Sequence, residues 1–428
     1  MFQLGMQSSN ICQNCSQSYP IHEGELHWCH HCNWNLEGDR TTYVKENSYQ
    51  KIYRELGKKM GQGLFNDLVR TNTSRPRMNL NKVLAYSFAS VIHLSTLIIF
   101  LIAFLSFAFL VWWVALIIAV PLFAVGWVVL PKPRKWPEDM LDKEKFPTIY
   151  GITNQIAREM KTSSPAGLIV NEEFNASYSE YGLGPWKKKV ITLGLPLLNH
   201  FTNEEIVGVI AHETSHGANG DVGRGAYLWA AVQALANWHH ILHPSSIDEG
   251  QADLIGGPIS TWISNIAGWM FSFIPYAGAY ILAYLMFRQS QEAEYLADRL
   301  AAEVCGSKEM MAMLSSLSRG GGNFYLAVQR AALSKENLNV FDLVESSTGK
   351  KSSRELERLE RIEVMYGLSL DATHPPSSYR RNFLAQTNFI PKVVITLKIS
   401  DALRSEIDSL KKPISNKLKD AYLNRLYC

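Results

Sequence analysis

Apolar positions in this chain gather into two long blocks set within otherwise mixed sequence. Between Lys82 and Lys132 lie 49 residues without a formal charge, dense in Leu, Ile, Val, Phe and Trp. One helix of that length would run about 74 Å, more than twice the roughly 30 Å hydrocarbon core of a bilayer. The pattern therefore predicts a transmembrane hairpin over 83–131, turning between Ser106 and Trp113, with Trp112 and Trp113 at interface depth. The second block, 225–287, divides into charge-free runs at 225–247 and 255–287, separated by Asp248, Glu249 and Asp253. It reads as a second hairpin that either crosses the bilayer or lines a protein-covered chamber at its surface. The second alternative is kept because Asn237, His239, His240, His243, Gly256, Gly257, Pro258 and Pro275 interrupt the run.

The remaining pattern is that of a small α+β protein, mainly α. Lys189 to Leu193 is expected as a strand after a turn at Gly184 and Pro185. Residues 203–216 form an amphipathic helix with a capping box at Thr202 and Glu205 and an apolar stripe at Ile206, Val209 and Ile210. Glu292 to Val304 is helical by pattern, Glu345 to Glu355 reads as a polar linker, and Val393 to Ile399 as a late strand. Arg70, Arg75, Arg77 and Lys82 precede the first hairpin and Lys132, Arg134 and Lys135 follow it, so both ends are expected in the cytosol.

Composition sharpens this picture. The chain has 428 residues, of which 47% are hydrophobic and 19% charged, against about 25% charged in a soluble domain. A net charge of +3 is too small to imply a nucleic-acid partner. Residues 1–10 show no basic segment leading into an apolar run, so no cleaved signal is expected. Four of the six cysteines form two pairs, Cys12-x-x-Cys15 and Cys29-x-x-Cys32, with 13 residues between them. That spacing predicts a structural zinc held by four thiolates in a small ribbon. The first 44 residues carry a net charge of −3, which again excludes nucleic acid. The ribbon then either docks a substrate or partner or is a structural cap. Cys305 and Cys428 read as ordinary thiols. His239 and His243 read as interfacial histidines.

The sharpest motif is His212-Glu213-Thr214-Ser215-His216. On a helix the two imidazoles share one face a turn apart and can reach one Zn²⁺, while Glu213 projects toward a water on the metal. A catalytic zinc needs a third protein ligand. Downstream, Glu294 and Asp298 sit at i and i+4, where like charges repel unless a cation or imidazole offsets them.

Together these motifs resemble the HtpX-like and CAAX-prenyl-endopeptidase superfamily of membrane zinc metalloproteases. The resemblance spans residues 80–385. It runs through His212, Glu213 and His216 to Asn219-Gly220-Asp221, then Glu294-x-x-Ala297-Asp298, then Thr373-His374-Pro375-Pro376 with Arg380. Upstream, Asn175-Ala176 and the run Val190 to Leu198 are similar to that family's edge strand and the strand after it. The resemblance implies His212, His216 and Glu294 as zinc ligands, Glu213 as general base and Asp298 behind a ligand histidine. It places His374 and Arg380 near the oxyanion or the substrate, and Asn175 and Ala176 along an extended substrate. Three features depart from the family: Ser177 and Tyr178 follow Asn175-Ala176, the polar run from Glu345 to Arg361 is long, and the ribbon is an addition.

The expected organisation is thus a zinc ribbon (1–44), a basic linker (45–82), hairpin 1 (83–131), a first protease segment (132–224), hairpin 2 (225–287), a second protease segment (288–390) and a strand-plus-helix extension (391–428). This describes an integral membrane protein with about four transmembrane helices, a cytosolic zincin-type domain, and two zinc ions, one catalytic and one structural. The resemblance implies cleavage of membrane or misfolded proteins at a bacterial inner membrane, with protein or peptide substrates and the lipid bilayer as partners. Processing of one lipidated or membrane substrate, and an inactive zinc-stabilised scaffold, are the alternatives.

Overall fold

A computed structural model of the chain describes residues 9–22, 25–38, 48–71, 80–130, 132, 135–182, 186–243, 258–319, 322–347, 352–367 and 374–427. Thr373, the Gly184-Pro185 turn, the acidic stretch from Asp248 to Asp253 and Cys428 lie outside them. The chain opens with a two-stranded antiparallel ribbon, β1 (Ser9–Ile11) and β2 (Ser18–Pro20). Helices α1 (Ser48–Thr71), α2 (Leu80–Phe109), α3 (Trp112–Val129) and α4 (Pro147–Glu159) follow. A three-stranded sheet comes next, made of β3 (Gly167–Asn171), β4 (Ala176–Tyr181) and β5 (Lys188–Gly194). The rest is helical: α5 (Leu195–His200), α6 (Asn203–Asn219), α7 (Asp221–Leu242), α8 (Pro258–Cys305), α9 (Ser307–Arg319), α10 (Gly322–Leu333), α11 (Val340–Ser347), α12 (Ser353–Gly367), α13 (Ser377–Leu384) and α14 (Leu397–Tyr427).

Strand order in the sheet is β3-β5-β4, with β3 parallel and β4 antiparallel to β5, so β4 lies at an edge. One face of the sheet and α6 share a core with α8, α9 and α13. Ile191 and Leu193, Ile206 and Ile210, Tyr295, Met310, Met313 and Phe383 are all buried in it. A second, smaller core joins α2, α3, α7 and α8, where Ala85 and Ala89 meet Leu228, Ala231, Ala234 and Leu282. Small side chains at such a contact let helices approach closely, the way apolar helices associate within lipid.

Among the described residues three helices are long and apolar enough to cross a membrane: α2, α3 and the stretch Asn265–Cys305 of α8. Helix α7 is not one of them, because Asn237, His239 and His240 dilute its apolar character. Outward-facing Val91, Leu94, Leu97, Phe104, Ile117 and Trp127 give α2 and α3 an exposed apolar belt suited to lipid.

Several expectations gain detail or change. The basic linker at 45–82 is helical over Ser48–Thr71 and buries Leu64 and Leu68 in the main core. The polar run expected as a linker at 345–355 overlaps two helices. Asn339 accepts a bond from Phe341 N at 2.9 Å at the start of α11, and Ser352 Oγ accepts one from Glu355 N at 3.1 Å at the start of α12. The strand expected at Val393–Ile399 is absent. Lys392 N and Val393 N instead donate to the Val304 carbonyl at the end of α8, and Thr396 opens α14 by accepting from Ile399 N at 3.4 Å and Ser400 N at 2.8 Å. Finally, the division set at 287/288 falls inside one helix. The apolar part of α8 ends at Phe287 and the same helix continues through Arg288 to Cys305.

Candidate metal centre

Helix α6 carries the first two donors. It begins with the expected capping box, in which Thr202 N donates to Glu205 Oε2 at 2.9 Å and Glu205 N donates to Thr202 Oγ1 at 3.3 Å. It ends at Gly220, whose φ of +68° places it in the left-handed region open to glycine. Between these ends His212, Glu213, Thr214 and Ser215 are buried. Gly217 is required by packing: a Cβ there would lie 2.5 Å from the Tyr178 ring, so β4 sits hard against the helix. Among the described residues the buried Tyr178 hydroxyl has no hydrogen-bond partner, and burial pushes its pKa up.

The polar half of α8 brings Glu294 to the same place across the intervening helices. His212 Nε2 and His216 Nε2 are 3.3 Å apart. Glu294 reaches His212 Nε2 at 3.5 Å through Oε2 and His216 Nε2 at 3.4 Å through Oε1. Ligands of a tetrahedral ion bound at about 2.0–2.1 Å stand about 3.3–3.4 Å from one another. Two imidazole nitrogens and a carboxylate facing one another at that separation fit a zinc-sized cation.

Behind these donors stands an ion pair. Asp298 Oδ1 lies 3.0 Å from His212 Nδ1, which leaves Nε2 of that ring facing the other donors. Arg380, from α13, forks the same carboxylate: its Nη2 donates to Oδ1 at 2.6 Å and its Nε to Oδ2 at 2.7 Å. Both residues are fully enclosed, Arg380 at 2% and Asp298 at 0% exposure. Arg380 thus lies behind His212, and its Nη2 also stands 3.8 Å from Glu294 Oε2, beside the donor set. His374 is more open, with its side chain 41% exposed and Nδ1 2.5 Å from Glu294 Oε2. It forms a second candidate donor set with His212 and Glu294, which the sequence reading did not consider.

Electrostatics follow from this geometry. Burial lowers the His212 pKa, but hydrogen bonds to Asp298 and Glu294 more than offset it and push it up to about 10. Burial raises the Asp298 pKa, and the Arg380 guanidinium overcomes this and holds the carboxyl below its ordinary range. Glu294 is held well below its ordinary value, burial being outweighed by His374, His212 and His216.

Asn175 and Ala176 lie at the start of the edge strand. The Asn175 carbonyl accepts from Gly194 N at 2.8 Å, and Ala176 pairs with Leu193. The run from Val190 to Leu198 is strand as far as Gly194 and helix from Leu195.

Cys12, Cys15, Cys29 and Cys32 form a separate cluster near the N-terminus. Cys12 and Cys32 sulfurs, and those of Cys15 and Cys29, are each 3.6 Å apart, near the roughly 3.8 Å edge expected for thiolates at about 2.3 Å from zinc. The two halves repeat one turn. Ser16 N donates to the Cys12 carbonyl and Asn33 N to the Cys29 carbonyl, both at 2.9 Å, and Ser16 and Asn33 both have φ near +60° at 58° and 59°.

The sequence profile of peptidase family M48 matches residues 144–388, more than half of the chain. A "Protease HtpX homolog" from Persephonella marina is 26% identical over 168 residues, which is 38% of this chain and 53% of that protein. The chain thus spans about half the length of this curated relative.

Proposed function

This chain belongs to peptidase family M48, and on that premise we propose that it is a membrane-embedded zinc endopeptidase acting on the cytosolic side of a cell membrane. The convergence of His212, His216 and Glu294 at 3.3–3.5 Å carries the reading, because three donors of that kind at that spacing suit catalytic zinc and leave a fourth position for substrate. When bound there, zinc would polarise the scissile carbonyl and ease deprotonation of water.

The chain's own groups do the rest. Glu213 is the general base: it takes a proton from the attacking water and returns it to the leaving amine as the C–N bond breaks. Asp298 fixes the His212 ring, and Arg380 neutralises Asp298, so both are positioning residues. His374 borders Glu294 on the open side, where its ring can donate to the carbonyl oxygen as negative charge develops. A substrate lies extended along β4 from Asn175 and Ala176, gaining main-chain hydrogen bonds with little sequence preference. That tolerance suits misfolded or damaged membrane proteins as substrates. The basic flanks of the first hairpin support the cytosolic side for both termini and the site, in an inner membrane. The four cysteines would hold a second, structural zinc.

Glu213→Gln in the full chain tests the base. The variant is expected to keep its full zinc content and to lose casein cleavage by about 10²–10⁴-fold. Loss of zinc together with activity would make Glu213 a ligand, and retained activity would remove the proposed mechanism.

A further inference from the structure

The two unusual additions in this chain, the four-cysteine module and the polar helix α12, are two halves of one interface. Arg354, Arg358 and Arg361 stand at i, i+4 and i+7 on α12, on one face. The Arg354 guanidinium lies 4.6 Å over the Trp28 ring and donates to the Trp28 carbonyl. Arg358 Nη1 donates to the Leu36 carbonyl at 2.7 Å, and Arg361 Nη1 donates to the His30 carbonyl at 2.6 Å and to Asn33 Oδ1 at 2.7 Å. At the start of the helix Ser352 Oγ donates to Glu25 Oε2 at 2.7 Å. Three of these acceptors are backbone carbonyls of the loop 28–36, which carries Cys29 and Cys32. Their positions are set by the closed cysteine turn, so the arginine row recognises the folded module by its shape.

Helix α12 in turn holds α13. Glu360 Oε1 accepts from Arg381 Nη2 at 2.6 Å, and Glu363 Oε1 accepts from Ser377 N, the first residue of α13, also at 2.6 Å. A carboxylate at a helix N-terminus meets the positive end of the helix dipole and fixes that end in place. Three residues on, Arg380 forks Asp298 behind His212, and His374 lies just before α13.

We infer that the four-cysteine module is a metal-dependent clamp which, through Arg354, Arg358 and Arg361, fixes α12 and α13 and so positions Arg380 and His374 at the catalytic centre. Its arginines are positioning residues. Emptying or undocking the module loosens α13 while the donors on α6 and α8 stay in place. The catalytic consequence rests on the peptidase reading, whereas the mechanical coupling does not.

The test uses the full chain in nanodiscs with Arg354→Gln/Arg361→Gln, which leaves every cysteine and every residue of the catalytic site intact. Expected are hydrogen exchange at least about tenfold faster across 353–384, a fall in kcat of about tenfold, KM unchanged within about twofold, and two zinc ions retained. Emptying the module by Cys12→Ser/Cys15→Ser should reproduce the first three results with one zinc retained. Should the double arginine variant fail to fold, Glu25→Gln weakens the same dock from the module's side and is read identically. Unchanged kcat in a variant whose 353–384 segment exchanges faster would overturn the clamp, as would a fall in kcat without faster exchange. A wild-type chain that cleaves nothing, with the exchange coupling intact, would defeat the peptidase reading and leave the mechanical coupling standing.

Discussion

Removing Arg380 isolates the least visible part of the proposed site. Asp298 is fully buried and accepts two short bonds from Arg380 and one contact from His212, so Arg380→Gln leaves a buried carboxylate without its guanidinium. Breaking a buried pair from one side costs about 3–5 kcal/mol, because the remaining charge keeps its desolvation penalty without compensation. Part of that appears as lost stability and part as a His212 ring no longer held for the metal. Residues behind a ligand are worth about 10–100-fold in metal affinity, or about 1.4–2.7 kcal/mol. The expected outcome is therefore a 10–100-fold weaker catalytic zinc site and faster thermal inactivation in micelles. The double variant Asp298→Asn/Arg380→Gln should recover much of the stability, since it removes both charges. Zinc competition with a fluorescent chelator, run on all four members of the cycle, measures the coupling. Because Arg380 depresses the Asp298 pKa, the pair's stabilisation is complete above the ordinary carboxyl range and fades only as the pH falls through the lowered value. Neutral pH is thus the right condition. Additive effects of the two single substitutions, or wild-type zinc affinity in Arg380→Gln, would refute the reasoning.

Other outcomes are equally open to measurement. The chain should hold two zinc ions, with the catalytic one leaving first to a mild chelator because the four-thiolate site is closed; one metal per chain would remove one of the two sites. Single cysteines introduced for labelling in intact cells should be protected from an impermeant reagent at Lys135 and accessible at Phe109, and the reverse pattern would invert the topology. Lys82→Met should weaken the catalytic zinc about tenfold, and the exchange Lys82→Glu/Glu292→Lys should restore much of it. Equal loss in both would reduce the pair to local packing.

What the sequence made legible follows from how each signal is encoded. Local periodicity and capping chemistry define α6: its Thr202–Glu205 box and its His212–His216 spacing lie within one stretch of helix. The four-cysteine cluster is legible for the same reason, being two short repeats of one turn. Hidden from the sequence is whatever depends on distant partners. Val393 to Ile399 is rich in β-branched residues and reads as a strand, yet its backbone is used to cap α8. The Arg354–Arg361 row looks like a solvated polar face until the loop 28–36 is laid across it. Arg380 takes its place near the substrate from the resemblance alone, and its pairing with buried Asp298 is a property of the assembled core.

Lys82 shows how the membrane and the metal centre are joined. As the last charge before a long apolar run it reads as a basic flank in water, yet it is buried, and its Nζ donates to Glu292 Oε2 at 3.1 Å. A turn lower on α8, Arg288 pairs with Asp67 of α1 at 2.7 Å. Desolvating an ammonium and a carboxylate costs several kcal/mol for each ion, so the buried Lys82 pair adds little net stability. Its effect is register. Glu292 and Glu294 are two residues apart, about 200° around the helix, so Lys82 grips the side of α8 turned away from the face that Glu294 presents to the histidines. Helix α8 has 48 residues and runs unbroken from its apolar half into Glu294. Tilting or sliding that half would therefore carry Glu294 with it, unless α1 and α2 hold the helix where it changes from apolar to polar. The two ion pairs sit at that change. The placing of the apolar half and that of Glu294 are consequently set by one continuous helix, which on the proposed reading would keep the cleft close to the membrane surface.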